Sequence, residues 1–130
     1  MNIYKLDTFC KFAKKEQISD SDLLKAVDAI IQGNADANLG SFLYKQRIAR
    51  QGKGSSSGYR VILCLRFEDK AFFLYGFPKS ERSNINDREL LALKKQAKVL
   101  LSLSKEIIRS LLDDGVLVEI QAPENDNEKL

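Results

Sequence analysis

SFLYKQRIARQGKGSSSGYRVILCLRFEDKAFFLYGF, residues 41–77, decides the fold. From Ser41 the period is two: Phe42, Tyr44 and Gln46 alternate with Leu43, Lys45 and Arg47, as in a strand with one wet face. Tyr59 to Phe67 sets Val61, Leu63 and Leu65 on one side and Arg60, Ile62, Cys64 and Arg66 on the other. Glu68-Asp69-Lys70 turns the chain, and Ala71 to Phe77 is a nearly continuous apolar run suited to a buried central strand. Three such runs predict an antiparallel meander. Its first hairpin is also where charge gathers: between Ser41 and Arg66 stand six basic residues and no acidic one. Unopposed cations on one hairpin make a polyanion, RNA above all, the partner to consider.

Upstream, NIYKL at residues 2–6 reads as a short strand, and Asp7 and Thr8 are N-cap residues for a helix carrying Phe9, Phe12 and Ala13. Ser19 or Ser21 caps a second helix in which Leu23, Leu24, Val27, Ile30 and Ile31 recur at helical spacing until Gly33. NADANLG then reads as a loop. Downstream, Pro78 closes the third strand of the meander, and Asn86 with Glu89 forms a capping box for a helix striped by Leu90, Leu93, Ala97, Leu100 and Leu101. Ser104 opens a further helix ending at Gly115, and VLVEI from Val116 is a last strand. One domain over residues 1–121 is expected. Residues 122–130, APENDNEKL, have almost no apolar content and are expected to be a disordered acidic tail.

The 130-residue chain is 44% hydrophobic, enough for one core. Its net charge of +3 conceals an asymmetry: residues 1–112 hold 20 basic and 12 acidic side chains, residues 113–130 one basic and six acidic. The body is basic and the tail acidic. Cys10 and Cys64 form no ligand spacing or disulfide framework, which suits a reducing cytoplasm. No apolar run has the length of a signal peptide or a membrane span, so a soluble, unexported protein is expected. Histidine is absent, which removes the commonest general base and zinc ligand. Catalysis here must run on Lys, Arg, Glu, Asp, Tyr or Ser.

GKGSSSG, residues 52–58, invites comparison with phosphate-binding loops. A Walker A loop fails, because Arg47 stands at its first glycine and Gly54 follows Lys53 where a Ser or Thr belongs. A dinucleotide fingerprint also fails: Ser57 holds the third glycine position and a strand follows, not a helix. A solvated hairpin tip accounts for the glycines and serines. The flanks support a second reading, in which Lys45, Arg47, Arg50, Lys53 and Arg60 converge on one groove.

RIARQGKGSSSGYRVIL, followed by AFFLYGFPKSER and the helix-opening NDRELLALKKQAK, resembles the RelE/HigB-type toxins of type II toxin–antitoxin modules. The resemblance is clearest over residues 41–100. It implies an α+β RelE-like small ribonuclease fold: an antiparallel sheet, two N-terminal helices on one face, a C-terminal helical segment and a basic concave face. The implied activity is metal- and cofactor-independent cleavage of mRNA, on the ribosome in many members, by attack of the substrate's own 2′-hydroxyl. The implied partners are mRNA, the ribosome and a cognate antitoxin, with operator DNA met only through the antitoxin complex.

Carried over residue by residue, Arg60 matches the arginine on the scissile phosphate. Lys45 and Arg47 resemble a lysine pair acting as acid/base or phosphate stabilisers, with Arg47 electrostatic because guanidinium hardly deprotonates. Lys79, Glu81 and Arg82, in KSER, resemble the catalytic segment after the last central strand. Ser80 stands where the archetype has a catalytic arginine, Asn86 where it has a base-stacking tyrosine, and Ser55 where this branch carries a lysine. Arg82 is then a substitute phosphate ligand and Glu81 a general base, with a salt bridge to a neighbouring arginine as the alternative for Glu81. Tyr59 and Tyr75 are candidate base-stacking rings, with packing in its apolar run the stronger alternative for Tyr75. Those departures leave a second class open: a catalytically weakened RelE-like module that binds RNA or protein without cutting.

Overall fold

The computed structural model describes residues 1–49 and 58–121. Arg50, Lys53 and the rest of the glycine–serine loop before Gly58 lie outside the described residues, as does the 122–130 tail. In chain order the elements are β1 (Asn2–Leu6), α1 (Asp7–Lys15), α2 (Asp20–Ile31), β2 (Ala37–Gly40), β3 (Leu43–Ile48), β4 (Tyr59–Arg66), β5 (Lys70–Pro78), α3 (Asp87–Leu101), α4 (Lys105–Asp113) and β6 (Leu117–Ile120). The fold is α+β, a six-stranded sheet in the order β2-β3-β4-β5-β1-β6.

The expected meander is β3-β4-β5, antiparallel throughout. β4 is buried on both faces, with Val61, Ile62, Leu63, Cys64 and Leu65 fully inaccessible. Removing such aliphatic side chains from water contributes about 1.5–3 kcal/mol each, so this strand is the axis of the core. β1 adds to β5 in parallel, Ile3 opposite Ala71 and Tyr4 opposite Phe72, and β6 pairs antiparallel with β1 at the sheet edge. A bulge at Leu74 lets Ile62 pair with Tyr75 while Leu63 pairs with Phe73.

Helices cover both faces. Phe9 of α1 meets Phe73 at a centroid distance of 5.2 Å, and the Phe12 ring lies so close over Gly76 that a Cβ there would overlap three ring carbons. Tyr4 stacks on Phe72 at 5.2 Å on the opposite face, where α3 and α4 pack and bury Ala97, Leu100, Leu101 and Ile108. Cys64 belongs to that second face and Cys10 to α1; both thiols are free. Burial pushes the Cys64 thiol up to about 12.

Three of the four helix starts follow the sequence signals. Ser19 and Asp22 form a capping box on α2, Asn86 and Glu89 form one on α3, and Ser104 accepts the Ile107 N–H at the start of α4. α1 differs: Leu6 is its N-cap, without a side-chain bond, because the helix leaves β1 directly, and Asp7 accepts only the Thr8 N–H. NADANLG is not all loop either. Ala37–Gly40 is an edge strand on β3, joined to it by the two-residue turn Ser41–Phe42. Its Asn and Gly residues hide the strand locally, and the ladder with β3 supplies what propensity lacks.

Candidate RNA-binding site

Cross-strand partners share a face of a sheet, so the register sorts the candidate residues. Arg47 lies directly opposite Arg60 and Lys45 opposite Ile62, while Arg60 and Ile62 in turn face Phe77 and Tyr75 on β5. Lys45, Arg47, Arg60, Tyr75 and Phe77 therefore share one face, beside the start of α3. Tyr59, one residue from Arg60, points to the opposite face. It is 4% exposed, edge-on to Phe12 at 6.0 Å, and its hydroxyl donates to the Glu16 carbonyl at 3.3 Å. The sheet does not bring it to the cations.

Arg60 is 8% exposed. Its Nη1 donates to the carbonyl of Tyr59 at 3.5 Å, the limit of a hydrogen bond, and no carboxylate among the described residues pairs with it. A desolvated guanidinium without a counter-charge is costly, and a like charge directly across the ladder adds to the cost. Arg47 is half exposed and reaches the Asp36 carboxylate at 3.8 Å, while its backbone N–H is held by the same carboxylate. Lys45 donates to Asn84 Oδ1 at 3.3 Å, which ties β3 to the loop after β5.

That loop is organised by Arg82. Its Nε donates to the Asn84 carbonyl at 2.9 Å, Nη1 to the Tyr75 hydroxyl at 3.3 Å and to Glu89 Oε2 at 2.9 Å, and Nη2 to Glu89 Oε1 at 2.6 Å. The guanidinium also lies 5.5 Å from the centre of the Phe77 ring. Glu89 serves twice, since the same carboxylate accepts the Asn86 N–H that opens α3. The Arg82 hydrogen bonds, followed by the Asn86 N–H, hold Glu89 below the usual carboxylate range, and the Glu89 bonds raise Arg82 in return. Every Arg82 nitrogen is thus engaged, and its role is to fix the loop and the Tyr75 hydroxyl.

Lys79 and Glu81 lie in the turn after β5, with the Lys79 N–H bonded to the Gly58 carbonyl and the Glu81 N–H to Pro78. Glu81 is exposed and forms no ion pair with a described residue; Arg82 chooses Glu89 instead.

The face thus carries a row of cations, Arg47, Arg60 and Lys45, beside the Phe77-stacked Arg82, whose own nitrogens are all taken within the loop. Such a row suits an oligoanion with several phosphates. A family model described as the RelE toxin of the RelE/RelB toxin–antitoxin system matches residues 1–120. The chain belongs to the RelE toxin family. It is therefore a toxin of a toxin–antitoxin system, whose partner is a RelB-type antitoxin. No curated protein matches it. Among the described residues no helix is long and apolar enough to cross a membrane. In this RelE-family chain the sequence reading missed Asn84, Phe77 and the second bond of Glu89. An arginine seven residues before a capping-box glutamate was the available signal.

Proposed function

We propose that this RelE-family toxin is a metal-independent mRNA endoribonuclease acting on the translating ribosome. The observation that supports it best is the direct opposition of Arg47 and Arg60 on a face where Arg60 is buried with no carboxylate partner among the described residues. A scissile phosphate between them resolves both the desolvation and the repulsion.

In the proposed reaction the substrate 2′-oxygen attacks its adjacent phosphorus and forms the 2′-O–P bond. The P–O5′ bond breaks, leaving a 2′,3′-cyclic phosphate and a 5′-hydroxyl. Arg60 and Arg47 stabilise the dianionic phosphorane, a contribution worth about 10²–10³ in rate per preorganised donor. Glu81 takes the 2′-hydroxyl proton, and the Lys45 ammonium, steadied by Asn84, gives one to the departing 5′-oxygen. Lys79 holds a flanking phosphate, Tyr75 presents its ring edge to a base, and Arg82 positions the loop through Glu89.

The test is inducible expression in bacteria with mRNA 5′ ends mapped by primer extension. New internal ends in the wild type that vanish with Arg60→Ala support the reading; unaltered ends and normal growth with folded protein and no antitoxin refute it. One observation favours the alternative of a non-cutting module. Arg82, the available substitute for the arginine missing at Ser80, is already saturated by Glu89, Tyr75 and Asn84.

A further inference from the structure

The β2–β3 hairpin turns on Ser41 and Phe42, both left-handed at φ +55° and +64°. Turns of this kind favour Asn and Gly, and a bulky aromatic residue at positive φ is an outlier. The strain secures little packing, because Phe42 is 51% exposed. Its ring borders an open groove of about 490 Å³ shared with Arg66, Lys94, Lys98 and Leu101. Arg66 is committed to Asp69 and to the Leu101 carbonyl. Lys94 and Lys98 form no ion pair with a described residue, and the Lys94 Nζ lies beside Gly40, where a Cβ would meet it at 3.4 Å.

The groove lies on the same side of the sheet as the cationic face described above. Leu43, next to Phe42, pairs with Cys64, which shares the face of Arg60. Arg66, the β4 residue that lines the groove, is six residues along the strand from Arg60, about 20 Å, within the span of a short oligonucleotide. An exposed aromatic ring beside lysines that pair with no described carboxylate, on the side of the sheet that carries Arg60, is the arrangement that holds single-stranded nucleic acid. An acidic protein segment would need a broader apolar footing than one ring and a leucine edge.

We propose that this groove is a second RNA subsite, in which a base outside the cut step stacks on Phe42 while neighbouring phosphates lie on Lys94 and Lys98. The inference rests on the ribonuclease reading and extends it: the toxin grips its message at two points, and the distal grip is indifferent to base identity.

The chain contains no tryptophan, so Phe42→Trp creates a lone indole fluorophore at the subsite. The probe is an uncleavable 2′-O-methyl oligonucleotide long enough to span both sites, compared with a trinucleotide that covers only the Arg47–Arg60 pair. The long probe should quench the indole fluorescence of that variant and the trinucleotide should not. Phe42→Ala, and Lys94→Ala with Lys98→Ala, should each weaken the long probe roughly ten-fold, with Phe42→Tyr restoring it and circular dichroism confirming the fold. Unchanged affinity in Phe42→Ala, with binding still lost in Arg60→Ala, overturns the subsite alone. Absence of salt-sensitive RNA binding in the wild type overturns the ribonuclease reading. Normal RNA binding with weakened capture of purified antitoxin by Phe42→Ala overturns the subsite in favour of a protein contact.

Discussion

Replacing Arg60 by methionine should make the protein more stable and less active at once. Methionine keeps an unbranched apolar stem at the position and removes the guanidinium. Among the described residues that group has one hydrogen bond at 3.5 Å, no carboxylate partner, and Arg47 directly across the ladder. Replacing desolvated charge with an apolar side chain of similar volume is neutral or stabilising by up to about 4 kcal/mol. With Arg60 8% exposed, a gain of about 1–3 kcal/mol is expected, which raises the melting midpoint by roughly 3–12 °C for a chain of this size. Cleavage should fall about 10²–10³-fold. Thermal and urea unfolding followed by circular dichroism, beside primer extension on the same preparation, reads both quantities. A variant destabilised by more than about 1 kcal/mol would refute the reasoning, because the guanidinium would then be serving the fold and not awaiting a phosphate.

Gly76→Ala places a methyl against the Phe12 ring and should cost about 1–3 kcal/mol, read as a lower urea midpoint with an unchanged slope. Glu89→Gln should leave α3 folded but loosen Arg82, so Tyr75 becomes more accessible to iodination while Arg60-dependent RNA binding persists. Because Glu89 is held below its ordinary value of 4.5, its contribution to stability is complete above that value. It is lost as the pH falls through the lower folded value; a carbon-detected titration of Glu89 that showed an ordinary or raised midpoint would contradict the clamp. A thiol reagent at pH 8 should modify Cys10 and leave Cys64 untouched in the native protein, since Cys64 is buried with its thiol pushed up to about 12; labelling of both sites without unfolding would show that β4 opens.

What could be read from the residues was whatever is encoded locally. Ser19, Asn86 and Ser104 announce their helices because capping is a contact over three residues. The meander follows from apolar alternation and short turns. The parallel insertion of β1 beside β5 was not legible, since periodicity says that Ile3 to Leu6 is a strand and nothing about its neighbours. β2 escaped because Asn38 and Gly40 read as loop residues away from their ladder. In the site, alternation already assigned Arg60 and Tyr59 to opposite faces, and only one of them could join Lys45 and Arg47. The engagement of Arg82 was hidden because Glu89 had an evident local duty in the capping box, and a carboxylate has two oxygens.

The strand order carries a consequence for how this toxin comes into being. β1 sits inside the sheet, yet its neighbours are β5 and β6, so it pairs with residues that are synthesised long after it. The cationic face, by contrast, draws on residues from Lys45 to Glu89, all of which precede α4 and β6. Contacts of long sequence separation form late because their loops must be closed first. Assembly of the cationic face should therefore run ahead of final closure of the sheet, leaving an interval during biosynthesis when the β1 edge that β6 later covers is open and an antitoxin made in the same cell can still reach it.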